Sequence, residues 1–382
     1  MSHAVIIGGG IGGLTAAAAL SRKGWQVTVC ERAPSLEPVG SGIAIAPNAL
    51  KALDTIGVGD RVRALAALQG EAGLRAPDGR RLLRTSAEAA TARFGDPTVL
   101  LLRSTLIGLL ASALPPEALR LGTTVHAADP RTGAVSTSAG DLRADLVVAA
   151  DGINSAVRRA LFPGHPGPVH AGATSWRAVV PRPEGPEGEV RGSETWGPGQ
   201  VFGVMPLVDG LVYCYATAPA GRAGGEDGAK AKLTRLFGTW HDPIPALIHA
   251  AREGEILEHD LYCLPSPLPA FHSGRVALLG DAAHAMTPNL GQGACQAIED
   301  AVVLAHVAGA ASPVDLGPYT AARLARTTKI MRRSRTICRL TLWSNPLAVR
   351  ARQAAMAFAG RLGDGNATRQ FEDVFTWRPP AS

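Results

Sequence analysis

The sequence predicts an α/β fold in which a Rossmann-like dinucleotide-binding domain is interleaved with a β-rich domain and followed by a C-terminal helical segment. Two observations carry this prediction. A buried strand, a glycine-rich turn, an alanine-rich helix and a second strand follow one another over residues 4–30, as in a βαβ unit. A similar apolar strand returns at Val276–Leu279, after a β-rich stretch over about 172–218. The nucleotide-binding segments therefore flank the β-rich insertion.

The first element is the glycine turn Gly8–Gly13, which matches GxGxxG at Gly8, Gly10 and Gly13. Gly8 permits the tight turn, Gly10 lets a pyrophosphate approach the backbone, and Gly13 allows close packing of helix on strand. Glu31 follows Gly10 by 21 residues, at the end of the second strand, where a carboxylate can bind a ribose hydroxyl. Gly12 and the neighbouring Arg32 complete this candidate set. The alternative is a glycine turn without a ligand.

The middle of the chain continues with alternating helices and strands, read from periodicity and turn residues. We predict a helix near 48–55, a strand at 99–102 leading into a helix at 105–113, a meander over 123–143 and a buried strand at 146–150. Directly after that strand, Asp151 and Gly152 open the segment that ends at Arg158. An aspartate at a strand end before a helix start can steer an anion, but a capped helix explains it equally well.

The β-rich part and the C-terminal part complete the chain. Predicted strands are 176–180, 189–196, 201–206 and 211–217, followed by a glycine-rich loop over 219–230, helices at 229–240 and 243–252, and a helix at about 294–307. Residues 319–361 are predicted to be helical, basic and amphipathic, with an interruption at Pro346. The predicted domains are 1–170 and 271–310 for nucleotide binding, 171–270 for the β-rich domain and 311–382 for the helical segment.

The segment after the strand 276–279 contains a third group of candidate residues. Asp281 is placed to accept hydrogen bonds from a polyol, with a helix cap as the alternative reading. Gly291, Gln292 and Gly293 place bare backbone N–H groups at a helix start, where the positive end of the dipole stabilises negative charge. Two further candidates, His284 and Pro288, lie between Asp281 and Gly291. His284 is a possible general base, but we favour a structural role for it.

Composition excludes several other classes of protein. The net charge is +6, but only five of the 38 basic residues are lysines and the arginine clusters are short, which argues against nucleic-acid binding. Five scattered cysteines indicate free thiols in a reducing compartment and no structural zinc. Without an apolar run of about 18–20 residues or a signal sequence, we expect a cytoplasmic protein with no stable membrane association. For the basic helix around 323–339, packing on the nucleotide-binding domain is favoured over contact with a membrane or partner.

The three motifs, separated by 143 and 130 residues, resemble those of the para-hydroxybenzoate hydroxylase family of single-component FAD monooxygenases. The stretch 42–50 is similar to the family's segment under the flavin, and 102–106 to its arginine segment. The resemblance covers residues 3–345 and is closest to the branch of salicylate, 3-hydroxybenzoate and urate hydroxylases and zeaxanthin epoxidase. It implies that Glu31 binds the adenosine ribose, that Arg103 and Asp281 hold the pyrophosphate–ribityl region, and that Gly291–Gly293 contact the isoalloxazine ring. Leu102 and Ala294-Cys295 depart from the family pattern at the flavin edge.

The resemblance also implies the chemistry. The Asp151–Arg158 segment is implicated in both FAD and NAD(P)H binding. With a single GxGxxG motif, FAD is bound and NADH or NADPH visits transiently. Hydride transfer to FAD, oxygen addition at flavin C4a (a hydroperoxyflavin) and oxygen transfer to a small, aromatic substrate would follow, in a monomer or homodimer. An oxidase or dehydrogenase that inserts no oxygen, and a non-enzymatic nucleotide sensor, are the alternatives.

The substrate is expected between the flavin and the β-rich insertion. Strand alternation puts Trp176 and Arg177 on opposite faces, so that one of them can line the cavity, and Arg177 can orient an anionic substrate. Arg177, Pro288 and His284 are the candidate catalytic positions. A surface charge is the alternative for Arg177. Four aromatic residues are candidate cavity walls or core residues: Trp196, Phe202, Tyr213 and Tyr215.

Overall fold

The structure is a computed structural model that describes residues 1–36, 41–66, 71–183, 190–224, 227–310, 312–361 and 371–381. Its first sheet has six strands in the order β17 (His272–Ser273), β18 (Val276–Leu278), β11 (Leu146–Ala149), β1 (His3–Ile7), β2 (Gln26–Cys30) and β7 (Leu119–Arg120). β1 pairs in parallel with β2 and β11, and β11 with β18. This pairing confirms the predicted βαβ unit and the return of the chain to the same sheet at 276–278.

The central strands of this sheet are mostly apolar because both faces of the sheet are covered, as is usual for parallel sheets. Each residue of β11 and β18 is buried. The core of this half of the molecule also takes in the alanine-rich helix α1 (Ile11–Arg22) and the helix α10 (Gly293–Ala308). Small alanine side chains on α1 let these helices approach closely.

The second large sheet has seven strands in the order β16 (Leu257–Cys263), β12 (Val169–Pro181), β15 (Leu211–Pro219), β14 (Val201–Pro206), β13 (Ser193–Trp196), β4 (Glu71–Arg75) and β5 (Arg81–Ser86). All neighbours are antiparallel except β13 and β4. The four strands predicted for this region are confirmed, although β12 is longer than predicted and β13 starts only at Ser193; residues 184–189 lie outside the described residues.

Three strands of this sheet, β4, β5 and β16, are not predicted by the sequence. Their sequences contain charged residues and do not alternate strictly between apolar and polar side chains. Their strand pattern is therefore weak, and only pairing with the central strands reveals them. β4 and β5 come from residues 71–86, far before the predicted β-rich domain, and they extend its sheet at the β13 edge. The domain bounds themselves remain a prediction.

The two faces of this sheet have different environments. Trp176, Phe202 and their neighbours on one face form a hydrophobic core with helices α7 (Ala229–Phe237) and α8 (Ile244–Ala250). We call this the helix-covered face. Arg177, Tyr213 and Tyr215 alternate with those residues and lie on the other face, which we call the open face.

The remaining elements are short. Two small antiparallel sheets pair β3 (Gly42–Ile45) with β6 (Val99–Leu102), and β8 (Val125–Ala128), β9 (Ala134–Thr137) and β10 (Leu142–Arg143), confirming the predicted meander. The other helices are α2 (Pro47–Asp54), α3 (Gly59–Arg63), α4 (Ala87–Phe94), α5 (Arg103–Ala111), α6 (Ala156–Leu161), α9 (Asp281–His284), α11 (Gly317–Thr341), α12 (Pro346–Arg361) and α13 (Glu372–Phe375). The predicted interruption at Pro346 is confirmed.

Some properties concern the described part of the chain as a whole. No helix there has the length and apolar composition that crossing a bilayer requires. Within the same residues, no group of three or more His, Cys, Asp and Glu side chains is arranged to hold a metal ion. The five cysteines are free and buried.

Candidate functional site

The glycine turn between β1 and α1 is tight enough to exclude side chains at two positions. Gly8 has φ +107°, in the left-handed region, and a Cβ there would lie 2.5 Å from the carbonyl oxygen of Ala150. A Cβ on Gly13 would lie 2.0 Å from the carbonyl oxygen of Gly8. Gly12 packs against Leu279 on the neighbouring part of the sheet, where a Cβ would approach to 2.5 Å. Backbone packing therefore requires glycine at Gly8 and Gly13, whereas at Gly12 the close contact is with a side chain.

Gly10 differs, because a Cβ built on it would meet no atom within 4 Å. It is the N-cap residue of α1, and no side chain caps this helix start. The first N–H groups of α1 therefore point into open space with the positive end of the helix dipole behind them. Glu31 lies beside the turn: its Oε2 accepts a hydrogen bond from Gly9 N at 2.6 Å. Arg32 follows it and is exposed. We call the open space in front of Gly10, Asp281 and the loop Gly291–Gly293 the groove. Its part at Gly10 can take a phosphate group and a ribose hydroxyl.

Asp281 is the first residue of α9 and lies on the same groove. Asp281 is exposed as a residue, and the protein atoms packed around it raise the pKa of its carboxyl group. The positive charges of His284, Arg103 and Arg158 offset part of this increase. Arg103, the first residue of α5, is held by a hydrogen bond from its backbone N to Ser41 O at 2.9 Å. The structure thus brings Asp281 and Arg103 together from segments 178 residues apart in the chain.

The segment from Asp151 to Arg158 forms the capped helix that the sequence analysis weighed as one alternative. Asp151 Oδ2 accepts a hydrogen bond from Ala156 N at 2.9 Å, and Ser155 Oγ accepts one from Arg158 N at 2.9 Å. The Arg158 side chain is buried and donates to the carbonyl oxygens of Ala282 (3.1 Å) and Ile153 (2.6 Å). Arg158 therefore ties this segment to α9. Asp151 Oδ1 is buried without a hydrogen-bond partner among the described residues, so it remains available to a ligand.

The loop Gly291–Gly293 leads into α10, and the bare N–H groups of the helix start are again uncapped. Gly291 has φ +61°, and Cβ atoms built on Gly291 and Gly293 would meet nothing within 4 Å. Pro288, just before the loop, is exposed. Cys295 is buried and connects the loop to the β3–α2 turn, because its Sγ lies 3.5 Å from the donor Ala46 N. Burial raises the pKa of the Cys295 thiol to about 12, so it stays protonated.

A buried ionic cluster that the sequence analysis missed lies behind this loop. Arg323 on α11 donates to Glu299 at 2.5 Å and to Asp300 at 2.6 Å, and all three side chains are almost completely buried. Arg326 also donates to Glu299, at 2.7 Å. We call these four residues the ionic cluster. The adjacent acids Glu299 and Asp300 in an otherwise apolar helix were the signal that could have revealed it.

The ionic cluster reaches the glycine loop through two amide side chains. Asn48 donates to both Glu299 Oε1 (2.6 Å) and Gln292 Oε1 (3.1 Å). Gln296 donates to the same two oxygens at 3.0 and 3.1 Å. The buried side chain of Gln292 is therefore held away from the groove, which leaves the loop backbone facing it.

His284 belongs to the same buried region. Its side chain is 1% exposed, and its Nε2 lies 2.5 Å from Asp300 Oδ2. A histidine sealed in the core cannot exchange protons with a substrate in the groove, so the suggested role as general base is not supported by this geometry. The structural role that the sequence analysis favoured fits it, and Arg323 and His284 together compensate the charge of Asp300.

The charge of Asp300 leads to a prediction about acid stability. Burial raises its pKa, but His284 and Arg323 lower it more, to about 2, whereas aspartate in an unfolded chain has a pKa of about 3.9. Because the folded-state pKa is lower, Asp300 stabilises the fold fully above about pH 4, and this contribution is lost as the pH falls towards 2.

Urea unfolding at about pH 5 and pH 3 should therefore show a smaller loss of stability for Asp300→Asn than for the parent chain. Asp60→Asn, at a fully exposed side chain, should behave like the parent. Equal pH slopes for Asp300→Asn and the parent would contradict this assignment.

The open face of the second sheet approaches the groove from the other side. Tyr213 packs on the backbone of β3: a Cβ on Gly42 would lie 2.4 Å from the Tyr213 ring. Arg177 lies on β12, the strand next to β15, directly opposite Tyr215, and is partly exposed. Burial raises the pKa of both tyrosine hydroxyls, so each stays a neutral hydrogen-bonding group.

This arrangement resolves the alternatives left open for the aromatic residues. Trp176 and Phe202 belong to the core under α7 and α8. Phe202 therefore takes the core alternative, and of the pair Trp176 and Arg177 it is Arg177 that lies on the open face. Tyr213, Tyr215 and Trp196 lie on the open face, as strand register and alternation require.

Glu194 is a further residue of the open face that the sequence analysis missed. It accepts hydrogen bonds from the Tyr215 hydroxyl and from Trp196 Nε1, the latter at 2.9 Å. The Tyr215 ring crosses the intervening strand over Gly203, where a Cβ would lie 2.1 Å from the ring. Glu194 therefore holds two aromatic side chains in place. Only the strand register reveals the role of Glu194, because Glu194 and Tyr215 are 21 residues apart in sequence.

Comparison with known proteins gives consistent results. The sequence profile of a family described as FAD binding domain matches residues 1–334. Aurachin C monooxygenase/isomerase from Stigmatella aurantiaca is 39% identical over 359 residues, covering 92% of this chain and 93% of that protein. A 3-amino-4-hydroxybenzoate 2-monooxygenase from Streptomyces cremeus is 32% identical, covering 87% and 86%. The crystal structure of Klebsiella pneumoniae HpxO complexed with FAD and uric acid superposes with a TM-score of 0.88 at 27% identity, covering 99% of this chain and 97% of that one.

Proposed function

Because this chain belongs to the FAD binding domain family and is an FAD-dependent monooxygenase, we propose that it takes electrons from NADH or NADPH and inserts one oxygen atom of dioxygen into a small aromatic substrate. The insertion is a hydroxylation or an epoxidation, and the second oxygen atom leaves as water, reduced by the two electrons from the nicotinamide. The observation that carries the proposal is the position of the open face: a cationic and aromatic surface lies against the strand that borders the glycine-lined groove.

The groove fits FAD in shape and in chemistry. Open space at Gly10, Gly291 and Gly293 admits a ligand to the backbone, and two uncapped helix starts offer N–H groups to negative charge. In this proposal Glu31 binds the adenosine ribose and the start of α1 binds the pyrophosphate. When bound, FAD supplies hydride acceptance and the activation of dioxygen.

The other residues of the groove hold and orient the cofactor. Asp281 accepts hydrogen bonds from the ribityl hydroxyls, and Arg103 balances negative charge near the pyrophosphate. The N–H groups at Gly291–Gly293 would contact the ring of a bound flavin, and the dipole of the 16-residue helix α10 would stabilise negative charge there. Gln292 is held inward by Asn48, which keeps the loop in this conformation. The loop thus contributes its backbone, so the departures at Ala294 and Cys295 leave its N–H donors in place.

The substrate is positioned by the open face. Arg177 has no acidic partner among the described residues, and its guanidinium can hold a phenolate or carboxylate oxygen of the substrate. Tyr213 and Tyr215, whose rings lie 5.8 Å apart, can pack against an aromatic ring. Glu194 keeps Tyr215 fixed. The names of two relatives contain aurachin C and 3-amino-4-hydroxybenzoate, and the HpxO crystal structure contains uric acid. These molecules support an aromatic substrate for this chain.

The decisive experiment follows the oxygen atom. Purified enzyme with FAD is supplied with NADH or NADPH, isotopically labelled dioxygen and a panel of phenolic, quinoline-type and purine substrates. We expect a product that carries one labelled oxygen atom, in proportion to the nicotinamide oxidised. If every substrate that accelerates NAD(P)H oxidation yields only hydrogen peroxide and unlabelled product, the chain acts as an oxidase and the proposal is wrong.

Replacing Arg177 tests the substrate side of the site. Loss of a charge-assisted hydrogen bond, at roughly 1.5–3 kcal/mol, should make Arg177→Met raise the KM for an anionic substrate by about tenfold or more. Arg177→Lys should recover part of the loss, because it restores the charge. The matched control is Arg182→Met, at an exposed arginine just beyond the end of β12. Unchanged kinetics in Arg177→Met, with FAD content equal to the parent, would remove Arg177 from the site.

A further inference from the structure

The charged residues of the C-terminal helices α11 and α12 are all positive. Residues 316–363 contain ten arginines and lysines and no aspartate or glutamate, although the net charge of the whole chain is only +6. Blocks of like charge of this kind often mark an interaction surface. The rest of the chain is therefore net negative, and this segment is the one strongly cationic part of the sequence.

The fold neutralises only part of this charge. Arg323 and Arg326 pair with the acids of the ionic cluster, and Lys329 and Arg333 pair with Asp373. Four others remain exposed without an ion pair to any acidic residue that the structure describes: Arg332, Arg339, Arg350 and Arg361.

The outer face of α12 is apolar. Leu347 is 76% exposed and Phe358 is 64% exposed, and Trp343, just before the helix, is 43% exposed. At about 100° per residue, Leu347, Phe358 and the exposed alanines 351 and 354 fall within an arc of about 60°. The opposite side of the helix buries Val349 and Arg352 against the protein. We call the exposed side the α12 outer face.

Two of the exposed arginines lie at the edge of this apolar strip. Arg350 and Arg361 project about 50–70° from its centre line, both on the same side and still on the solvent side of α12. A helix with exposed leucine and phenylalanine on one face, an exposed tryptophan just before it and arginines along one edge has the composition of helices that lie in the interface of a lipid bilayer. We propose that the α12 outer face binds the surface of an anionic lipid bilayer, with Leu347 and Phe358 inserted and Arg350 and Arg361 on the lipid phosphates.

Charge decides between a bilayer and a second copy of this chain. A two-fold symmetric dimer joins the same patch on both subunits, so arginines would face arginines, and residues 316–363 contain no acid to compensate them. An anionic bilayer supplies negative charge along the whole face and apolar depth for the strip. From the sequence alone we expect no stable membrane association. Peripheral binding through α12 departs from that prediction without requiring a helix that spans the bilayer.

The experiment is flotation of the full-length FAD-loaded protein with lipid vesicles. Vesicles of equal parts phosphatidylglycerol and phosphatidylcholine should carry the protein at low salt and release it at high salt, and pure phosphatidylcholine should carry much less. Leu347→Ser/Phe358→Ser should lower the partition coefficient by more than about tenfold, and Arg350→Gln/Arg361→Gln should remove most of the dependence on phosphatidylglycerol. Leu121→Ser, at a 39% exposed leucine elsewhere, is the matched control and should float like the parent.

Two outcomes would overturn the proposal. One is failure of the parent protein to float with the phosphatidylglycerol vesicles at low salt. The other is a change in oligomeric mass of Leu347→Ser/Phe358→Ser in solution with unchanged vesicle binding, which would make the α12 outer face a contact between copies. FAD content and the flavin absorption spectrum should stay constant in all variants, because α12 contributes no residue to the groove.

Discussion

Replacing Gly10 with alanine is expected to weaken FAD binding by about a hundredfold or more while the FAD-free chain keeps its fold. A Cβ on Gly10 meets nothing within 4 Å in the protein, so the substitution creates no internal clash. It does fill the space in which a pyrophosphate must approach the start of α1. Losing two charge-assisted hydrogen bonds there corresponds to roughly 3 kcal/mol or more. Titration of the apoprotein with FAD, followed by flavin fluorescence, measures the effect.

Two other glycine substitutions separate ligand binding from folding. Gly108→Ala lies inside α5, where a Cβ also meets nothing, and should leave FAD affinity unchanged while stabilising the chain by about 0.5–1 kcal/mol. Gly13→Ala should instead destabilise the protein itself, because its Cβ would lie 2.0 Å from a backbone oxygen. Equal FAD affinity in Gly10→Ala and the parent would show that the dinucleotide does not lie on this turn.

Replacing Arg323 with methionine is expected to cost about 3–5 kcal/mol of the free energy of unfolding. The substitution leaves Glu299 and Asp300 buried with much of their charge uncompensated, and the burial of an unpaired carboxylate is strongly unfavourable. Many proteins are stable by only about 5–15 kcal/mol, so this single change should bring the chain close to unfolding at ordinary temperature. Urea unfolding followed by circular dichroism measures the loss.

The matched control is Arg332→Met, on the same helix but exposed and without an ion pair to a described residue. It should change stability by no more than about 0.5 kcal/mol. Glu299 also holds Asn48, and Asn48 holds Gln292 in the glycine loop. Arg323→Met should therefore lower FAD affinity as well, even at urea concentrations at which the variant is still folded. Stability of Arg323→Met within 1 kcal/mol of the parent would mean that the cluster relaxes or admits water, contrary to the buried geometry.

The candidate cofactor residues were predictable because their signal is local. Gly8, Gly13 and Glu31 belong to one βαβ unit, in which backbone sterics decide which residue types the turn accepts. Asp281 was found in the same way, from its position at the end of a buried strand. Their assignment to FAD rests on the family to which the chain belongs.

The substrate side was less predictable. Alternation correctly separated Trp176 from Arg177, but it could not tell which face of the strand would be covered by helices. That choice depends on α7 and α8, whose apolar sides bury Trp176 and Phe202. Glu194 acquires its role only when strand register brings it beside Tyr215.

By itself, the sequence determined the βαβ unit, the order of its elements and the positions at which a dinucleotide can meet bare backbone, because these follow from short-range sterics and hydrophobic periodicity. The tertiary structure alone decided that the open face carries Arg177 and Tyr215, that residues 71–86 extend the second sheet, and that Arg323 compensates two buried acids. Those outcomes depend on contacts between residues far apart in the chain, and the energy of a buried charge depends on every group that surrounds it.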